Sequence, residues 1–189
     1  MNACACAIPP APSPGAMTAG PDLADARLAA AGDAEAFGRL YWRHAARVRA
    51  LARRLLGPAD VDDGTQEVFV RAWRRVGHFR GESAFGTWLH RLAVNVLLRE
   101  LERSRRHPAD DTPLDTLAAE TEPAGDPDLE RALALLPDGL REVVVLHDME
   151  SYTHDEIGQL LGIGRSASKM RLHRGRSALR GLLANRESR

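Results

Sequence analysis

The sequence predicts an all-α protein in which a flexible acidic linker joins two small helical domains. Aromatic and strand-forming residues are scarce, and apolar residues recur at helical spacing, which favours helices over sheet. Charge is also segregated along the chain. Residues 22–107 hold 16 basic against 11 acidic side chains, residues 108–127 hold none against 6, and residues 128–189 hold 10 against 9. The net charge of zero therefore conceals two cationic blocks separated by an anionic connector.

These shifts in composition divide the chain into four segments. Residues 1–21 contain five prolines and no charged side chain, so we predict a disordered tail. The first helical domain covers residues 22–107, the linker covers 108–127, and a four-helix second domain that ends in a helix-turn-helix covers 128–189. No apolar run is long enough to span a bilayer, and the tail lacks the basic start of a signal peptide. The sequence thus predicts a cytoplasmic protein without membrane insertion.

Three helices are predicted in the first domain, where they form a small bundle. The first runs from about Asp33 to Leu56, because one face, which includes Phe37 and Tyr41, stays apolar and a Gly-Pro pair follows. The second runs from about residue 60 to 76, and the third from Ser83 or Ala84 to about residue 106.

The second of these helices carries a candidate protein interface. Its sequence, DVDDGTQEVFVRAW over residues 60–73, is acidic in the first turn and basic in the last. This polarity suits the helix dipole and can serve stability alone. However, Asp63, Gln66 and Glu67 also form a connected polar surface beside Phe69, and such a mixture suits a surface that binds another protein.

The loop before the third helix and the first turns of that helix concentrate aromatic side chains. Phe79, Phe85 and Trp88 fall within ten residues. They are interleaved with polar and cationic side chains, namely Arg80, Thr87, His90, Arg91 and Asn95. Bases displaced from a duplex stack on aromatic rings, while Arg and Asn reach their edges and backbone. Aromatic residues can equally form the bundle core; we favour the core for Phe85 and leave both interpretations open for Trp88.

The clearest pattern is SYTHDEIGQLLGIGRSASKMRLHRGRSALRGLL, residues 151–183, which predicts a helix, a tight turn and a second helix. Thr153 and Glu156 have the spacing of a capping box, and Gly162 is suited to end the first helix in the left-handed conformation. The second helix, over residues 165–180, carries six cations and no acidic residue. This order is typical of a helix-turn-helix.

The distribution of residues around the cationic helix indicates what its charged side chains bind. Four small or apolar residues form one inward stripe: Ser168, Leu172, Gly175 and Leu179. The opposite face holds Ser166, Met170, His173, Arg174 and Ser177. Arg and Lys beside such a face bind phosphates and guanine edges in the major groove of DNA. A solvated amphipathic helix is the alternative, but solvated helices usually mix both signs of charge.

Together these motifs resemble one protein family. The chain contains DAEAFGRLY, DVDDGTQEVFVRAWRR, FRGESAFGTWLHRLAVN, LERALALLPDGLREVVVLHDME, YTHDEIGQLLGI and KMRLHRGRSALR. Their order resembles that of the extracytoplasmic-function (ECF, group IV) sigma factors of bacterial RNA polymerase, over roughly residues 22–183. The resemblance implies a subunit that binds core RNA polymerase and directs promoter-specific transcription initiation. It implies no catalytic residue, no cofactor and no metal.

The resemblance also implies a role for each block. The 60–73 motif implies contact with the clamp helices of the largest polymerase subunit, through Asp60, Asp63, Gln66, Glu67, Phe69 and Trp73. The loop and third helix imply capture of the melted minus-ten strand, through Phe79, Arg80, Ser83, Thr87, Trp88 and Asn95. The cationic helix implies reading of the minus-thirty-five duplex, through Arg165, Ser166, Lys169, Met170, Arg171, His173, Arg174 and Arg176. The resemblance also implies that the linker threads toward the RNA exit path. It further implies an anti-sigma factor as a partner, because members of this family are commonly inhibited by one.

Several residues differ from the family pattern, at positions that affect helix packing or DNA recognition. Gly64 and Thr65 stand where the family has apolar residues, and Ser168 replaces a buried valine on the inward stripe. We expect Ser168 to loosen the docking of the cationic helix. Met170 and Gly175 replace the commoner Ser and Ala, so an ordinary promoter preference is not assumed.

Two other functions are compatible with parts of the sequence. A stand-alone helix-turn-helix regulator would bind an operator without polymerase, but it leaves the 60–73 motif unexplained. An enzyme could use the carboxylates near residue 60 with a histidine as a metal site. No phosphate loop, nucleophile motif or H-x-x-x-H pair accompanies them, however. The sequence therefore favours a promoter-specificity subunit that is not an enzyme.

Overall fold

The computed structural model describes residues 20–106 and 126–187. Within these two ranges the chain is helical and contains no β-strand. The first range holds α1 (Pro21–Ala30), α2 (Ala34–Leu56), α3 (Val61–Arg75) and α4 (Phe85–Arg106). The second holds α5 (Pro127–Ala134), α6 (Asp138–Val144), α7 (His154–Leu161) and α8 (Arg165–Glu187). The prediction of an all-α protein with two helical domains is confirmed.

The predicted tail and linker lie almost wholly outside the described residues, as do Cys4 and Cys6. At the end of the predicted tail, Pro21 is the first residue of α1. At the end of the predicted linker, Asp126 caps α5 by accepting a hydrogen bond from the amide of Asp128 at 2.9 Å. Both helices therefore begin slightly earlier than the domains that we predicted.

Helix α1 was not predicted, and charged groups attach it to α2. Asp25 is buried and accepts hydrogen bonds from Arg39, at 2.9 Å to Nε, and from Arg43. Asp22 accepts one from Nε of Arg43 at 2.7 Å and contacts Nε2 of His44 at 2.9 Å. The hydrogen bonds from the two guanidinium groups lower the pKa of Asp25. The apolar side chains that α1 buries in the core, Ala26 and Ala29, are small, so apolar spacing gave only a weak signal for this helix and none for its ion pairs.

Helices α2, α3 and α4 form one bundle with a continuous apolar core. Leu40 on α2 and Leu89 on α4 are almost completely buried in it. Gly64 lets α3 approach its neighbours closely, because a Cβ there would lie 2.5 Å from Leu56 and 3.0 Å from Leu97. The departure from the family pattern at Gly64 thus has a packing reason.

The second group of helices contains the predicted helix-turn-helix. Thr153 and Glu156 form the predicted capping box at the start of α7, and Gly162 ends that helix with φ +64°. A π-helical segment over Val145–Met149 continues α6. Helix α8 packs against α6 at Gly175, where a Cβ would lie 2.6 Å from Val144. The helix-turn-helix prediction is therefore confirmed, and Gly175 explains how closely α8 can dock.

The two groups of helices touch each other, and His90 of α4 lies in that contact. Its Nε2 is 3.4 Å from Oε2 of Glu150, and its ring is 6.2 Å from the ring of Tyr152. Burial and the charges of Arg47 and Arg91 lower the pKa of His90 from 6.5 to about 4. At neutral pH, His90 is thus uncharged, and its contact with Glu150 is not an ion pair.

We expect acid to destabilise the folded chain through His90. Below pH 6.5 the unfolded chain protonates this histidine, whereas the folded chain does so only near pH 4, so the free energy of unfolding falls across that range. Between pH 7 and pH 5, the free energy of unfolding of the wild type should fall by about 2 kcal/mol more than that of a His90→Gln variant. Urea denaturation followed by tryptophan fluorescence measures this loss, because all three tryptophans lie in α2–α4.

Glu150 contributes a pH dependence of opposite sign to the free energy of unfolding. The comparison with His90→Gln removes it, because both chains contain Glu150. Burial raises the pKa of that carboxyl, so its protonation in acid favours the folded chain. Equal losses of stability in the wild type and in His90→Gln would show that His90 titrates as it does in a free peptide.

Candidate functional site

An open groove of about 570 Å³ lies between α2 and α3. Its walls are aromatic: the rings of Phe37 and Trp73 are 5.0 Å apart, and those of Tyr41 and Phe69 are 4.6 Å apart. Phe69 is nearly buried, whereas 39% of Trp73 remains exposed. Partly exposed rings gain burial when an apolar side chain covers them. The groove can therefore accept apolar side chains from a protein partner.

Helix α3 presents its predicted partner-binding residues on two adjacent faces. One face lines the groove and holds Gln66, Phe69 and Trp73. The other face is acidic and holds Asp60, Asp63 and Glu67, which are three and four residues apart. Nε of Arg71 donates a hydrogen bond to Glu67 at 2.5 Å, whereas Asp60 and Asp63 are exposed. The structure thus places the six residues on two neighbouring faces of α3, one that lines the groove and one that we call its acidic border. The charged residues that line the groove itself are Asp62, Arg49 and Arg74.

Sequence reasoning missed the contribution of α2 to this groove. Phe37 and Tyr41 belong to the face that we predicted as apolar; they pack against the edge of the bundle core and also line the groove. The next residue, Trp42, is 79% exposed, and its ring stands 5.3 Å from that of Tyr41. Two aromatics four residues apart were the available signal, and core helices show the same spacing.

A second aromatic cluster joins the loop before α4 to the start of that helix. The ring of Phe79 is 5.5 Å from Phe85 and 5.6 Å from Trp88, and the latter two rings are 5.3 Å apart. Phe85 is only 2% exposed, which confirms its predicted place in the core. Phe79 and Trp88 are half-buried at the edge of that core. Trp88 therefore packs against the bundle and also keeps part of its ring accessible.

The other predicted residues of this region surround Trp88. Thr87 and Asn95 are half-exposed on the same side of α4, and the Asn95 amide donates to the carbonyl of Arg91 at 2.8 Å. In the loop, Arg80 is exposed and lies 3.9 Å from Glu82, too far for a firm ion pair. Ser83 is half-exposed beside them. The cluster thus combines an accessible ring with hydrogen-bonding and cationic side chains.

Helix α8 shows the predicted division into an inward stripe and an outer face. The stripe of Ser168, Leu172, Gly175 and Leu179 is buried. The outer face is exposed and includes Arg165, Ser166, Lys169, Met170, His173 and Arg174. More than half of Met170 is exposed, in the middle of the cations. These six side chains can reach a groove of DNA together, because they share the exposed side of α8.

The remaining two predicted residues of α8 turn toward their own domain. Arg176 donates to both carboxylate oxygens of Asp148, at 2.8 and 2.5 Å, and these hydrogen bonds lower the pKa of Asp148. The guanidinium of Arg171 lies against Gly139 on α6. Arg176 and Arg171 therefore flank the exposed face and help to hold α8 in position.

Ser168 is accommodated by a hydrogen bond. Its side chain is fully buried, and its Oγ is 3.0 Å from Nδ1 of His154 at the start of α7. The ring of His154 in turn stacks on that of His147, at 4.6 Å. A buried hydroxyl with a partner avoids most of the cost of burial. The loosening that we expected from Ser168 is thus opposed by a specific bond between the two helices.

In residues 20–106 and 126–187, no group of three or more His, Cys, Asp or Glu side chains is arranged to hold a metal ion. No helix in those ranges combines the length and the apolar character needed to cross a membrane.

Both groups of helices match known protein families. Residues 40–107 match the family described as Sigma-70 region 2, and residues 127–179 match Sigma-70, region 4. The first match covers most of α2, with α3 and α4, and therefore the aromatic cluster and all of the groove lining except Phe37. The second covers α5 to α7 and most of α8.

Two proteins with similar sequences are described as ECF RNA polymerase sigma factors. The ECF RNA polymerase sigma factor SigM of Mycobacterium tuberculosis is 36% identical over 170 residues, 86% of each chain. The ECF RNA polymerase sigma-E factor of Escherichia coli K12 is 31% identical over 167 residues, which cover 78% of this chain and 86% of that one.

Two solved structures share the fold. CnrH, in complex with the cytosolic domain of CnrY, matches with a TM-score of 0.50 and 29% identity, over 88% of this chain and 99% of that one. The sigma factor RpoE of Bartonella quintana, in complex with the anti-sigma factor NepR, matches with a TM-score of 0.56 and 22% identity, over 78% and 96%.

Proposed function

The chain belongs to the ECF family of RNA polymerase sigma factors, and from this membership we propose that it binds core polymerase and directs promoter-specific transcription initiation. One observation carries the proposal: a single chain pairs an aromatic groove with a helix-turn-helix whose outer face is cationic. Two DNA contacts, each weak alone, become one specific complex when the polymerase holds both domains. In this proposal the chain supplies binding and no chemistry of its own.

The core-binding surface in this proposal is the groove with its acidic border. A helix of the polymerase would lay apolar side chains on Trp73 and Phe69, while Asp60, Asp63 and Glu67 face its cations. The support is geometric, because Trp73 keeps 39% of its surface exposed beside the groove. Exposed aromatics that become buried provide much of the affinity in protein interfaces.

The minus-ten strand would be captured by the aromatic cluster before and on α4. An unpaired base stacks on the accessible part of Trp88, and Asn95, Thr87, Ser83 and Arg80 contact its edges and backbone. Phe79 supports Trp88 from the loop, 5.6 Å away. Melting follows because the site binds the unpaired strand better than the duplex, and only such differential affinity shifts an equilibrium.

The minus-thirty-five duplex would be read by α8. Lys169, Met170 and Arg174 occupy the centre of its exposed face, with Arg165, Ser166 and His173 around them. We assign Arg171 and Arg176 to the flanks, where they hold α8 and approach the phosphates. The exposed thioether of Met170 gives the face one apolar contact among its donors.

Replacing Arg174 with alanine should weaken duplex binding and flatten its salt dependence. Each phosphate contact that is lost reduces the slope of log affinity against log salt by about 0.9. Fluorescence anisotropy with a promoter duplex, measured at several salt concentrations, gives that slope. Arg27→Ala is the matched control, because Arg27 is an exposed arginine on α1, away from α8. An unchanged slope for Arg174→Ala would remove this residue from the DNA interface.

Four finer assignments complete the proposal. We place the chain in group IV because only 19 residues separate the two family matches, too few for another domain. The acidic linker would run toward the RNA exit path. An anti-sigma factor would bind the chain, as NepR binds the similarly folded RpoE. The chain would act in the cytoplasm, where the polymerase is.

Binding to a promoter fragment with and without core polymerase tests this proposal. A sigma factor should show strong, specific binding only when core is present, because core is needed to hold the two domains apart. A stand-alone regulator would instead bind a specific duplex at nanomolar concentration by itself, and that result would replace the proposal. The groove between α2 and α3 favours the first outcome, since a regulator has no use for it.

A further inference from the structure

Met170 is an apolar side chain in the middle of the cationic face of α8. It is 54% exposed, and among the residues of α8 whose side chains the structure describes it is the only large apolar residue that is exposed. A single exposed methionine is ordinary on a protein surface. The position of Met170 is what gives it significance, because it lies on the face that the helix presents to DNA.

Packing fixes the direction in which Met170 points. Ser168 is fully buried and lies 3.0 Å from Nδ1 of His154, and a Cβ on Gly175 would lie 2.6 Å from Val144. These contacts set the rotation of α8 about its axis. At about 100° per residue, Met170 lies about 190° round the helix from the middle of the buried stripe. Its side chain therefore points almost directly away from its own domain.

The polar residues of the exposed face lie around this outermost line. Around the helix axis, His173 is about 60° to one side of Met170 and Arg174 is about 40° to the other. Ser166 and Ser177, which are uncharged, lie within about 40° of the same line. When a helix enters the major groove, its outermost line faces the base edges and its flanks face the phosphates. Met170 is thus placed to face the floor of the groove, with cations beside it.

The floor of the major groove offers one group that matches a thioether side chain. Guanine, adenine and cytosine present hydrogen-bond donors or acceptors there, whereas thymine also presents a methyl group. Methionine has no donor and only a weak acceptor, so against the other bases it would cover polar atoms without replacing their bonds to water. Against thymine it would remove two apolar groups from water. Thymine is therefore the base that suits this position.

We propose that Met170 is a specificity-determining residue, which selects thymine in the duplex element read by α8 through contact with the 5-methyl group of that base. This assignment rests on the proposed function only in that α8 reads duplex DNA, and it adds the chemical group that one residue recognises. The cations beside Met170 hold α8 on the backbone, whereas Met170 supplies sequence preference. Serine, the commoner residue at this position, can bond to several base edges and would not make this selection.

The duplex element is first obtained by selection with the full-length chain bound to core polymerase. Duplexes of random sequence that are retained by the wild type and by Met170→Ser are sequenced. The wild type should enrich thymine at one position, or at two adjacent positions, where Met170→Ser shows no such preference. This comparison identifies the base pair that Met170 contacts.

Deoxyuridine at that position then tests the methyl contact, because it differs from thymidine only by the lost methyl group. The exchange should weaken wild-type binding about fourfold, which corresponds to one methyl group left uncovered. Binding by Met170→Ser should not change. The ratio of the two affinities should be the same at low and high salt, since a methyl group displaces no counterions.

Three further variants separate methyl recognition from general effects, and circular dichroism verifies that each folds. Met170→Leu keeps an apolar side chain and should retain most of the fourfold ratio. Arg174→Ala should bind every duplex less tightly but with the same ratio of thymidine to deoxyuridine affinity. Leu28→Ser is the matched control, because Leu28 is a 47% exposed apolar residue on α1, and it should behave as the wild type does.

The outcomes separate this inference from the proposed function. If the wild type enriches no thymine, or binds thymidine and deoxyuridine duplexes equally, the inference is wrong although the proposed function stands. A fourfold loss that persists in Met170→Ser would assign the methyl group to another residue and also overturn it. Selection of an element only in the absence of core would contradict the proposed function, and the deoxyuridine exchange in that element would still decide the inference. A chain that selects no duplex under either condition would overturn both.

Discussion

Replacing Trp73 with alanine is expected to lower the affinity for core RNA polymerase at least thirtyfold. Trp73 shares the groove with Phe37 and Phe69, and it is the aromatic of the groove with the most surface left to bury. Central interface tryptophans commonly cost 2 kcal/mol or more when truncated, which is about thirtyfold in affinity. Size-exclusion co-elution with purified core gives the qualitative result, and a fluorescence titration gives the dissociation constant.

Trp42→Ala serves as the control for this experiment. Trp42 is an exposed tryptophan on α2 that does not line the groove, so its removal should leave core binding almost unchanged. Asp63→Ala addresses the acidic border separately, and its smaller effect should diminish at high salt, because exposed charges are screened. If Trp73→Ala and Trp42→Ala bind core equally well, the groove is not the core-binding surface.

The second large effect is expected for Trp88→Ala, which should impair promoter opening far more than initial promoter binding. Stacking of one base on an aromatic ring contributes roughly 1–3 kcal/mol, so the ratio of open to closed complexes should fall by about 5- to 150-fold. Permanganate reactivity of unpaired thymines measures opening, and a mobility shift at low temperature measures initial binding.

Two further variants distinguish stacking from folding. Trp88→Phe keeps a ring beside Phe79 and should recover much of the opening. Asn95→Ala leaves the aromatic cluster intact and removes only a side chain bonded to the Arg91 carbonyl, so it tests base contact without a loss of packing. Equal loss of initial binding and opening in Trp88→Ala would contradict a role in strand capture.

The sequence predicted those parts of the fold that local signals encode. The capping box of Thr153 and Glu156 and the left-handed Gly162 depend on a few neighbouring residues, and both appear as expected. The buried stripe of α8 follows from helical periodicity, and so does the exposed face opposite it. Such features can be read from one segment because their geometry is fixed within a helix or a turn.

The features that escaped prediction depend on contacts between distant segments. Helix α1 is held by Asp25, whose partners Arg39 and Arg43 lie 14 and 18 residues away. The groove needs Phe37 of one helix to meet Trp73 of another. Nothing local distinguishes Arg176, which is bound to Asp148, from the exposed cations on the same helix. Periodicity gives the face of a helix but not its neighbour, so it could not reveal these contacts.

Transcription from purified components tests the central claim most directly. Core polymerase is incubated with genomic DNA fragments, with or without the chain, and the 5′ ends of the transcripts are sequenced. A sigma factor should produce transcripts that begin at a limited set of positions, share two upstream elements, and disappear with the Trp73→Ala variant. Transcripts that are the same with and without the chain, although the chain alone retains a specific duplex, would contradict the claim and leave a DNA-binding regulator.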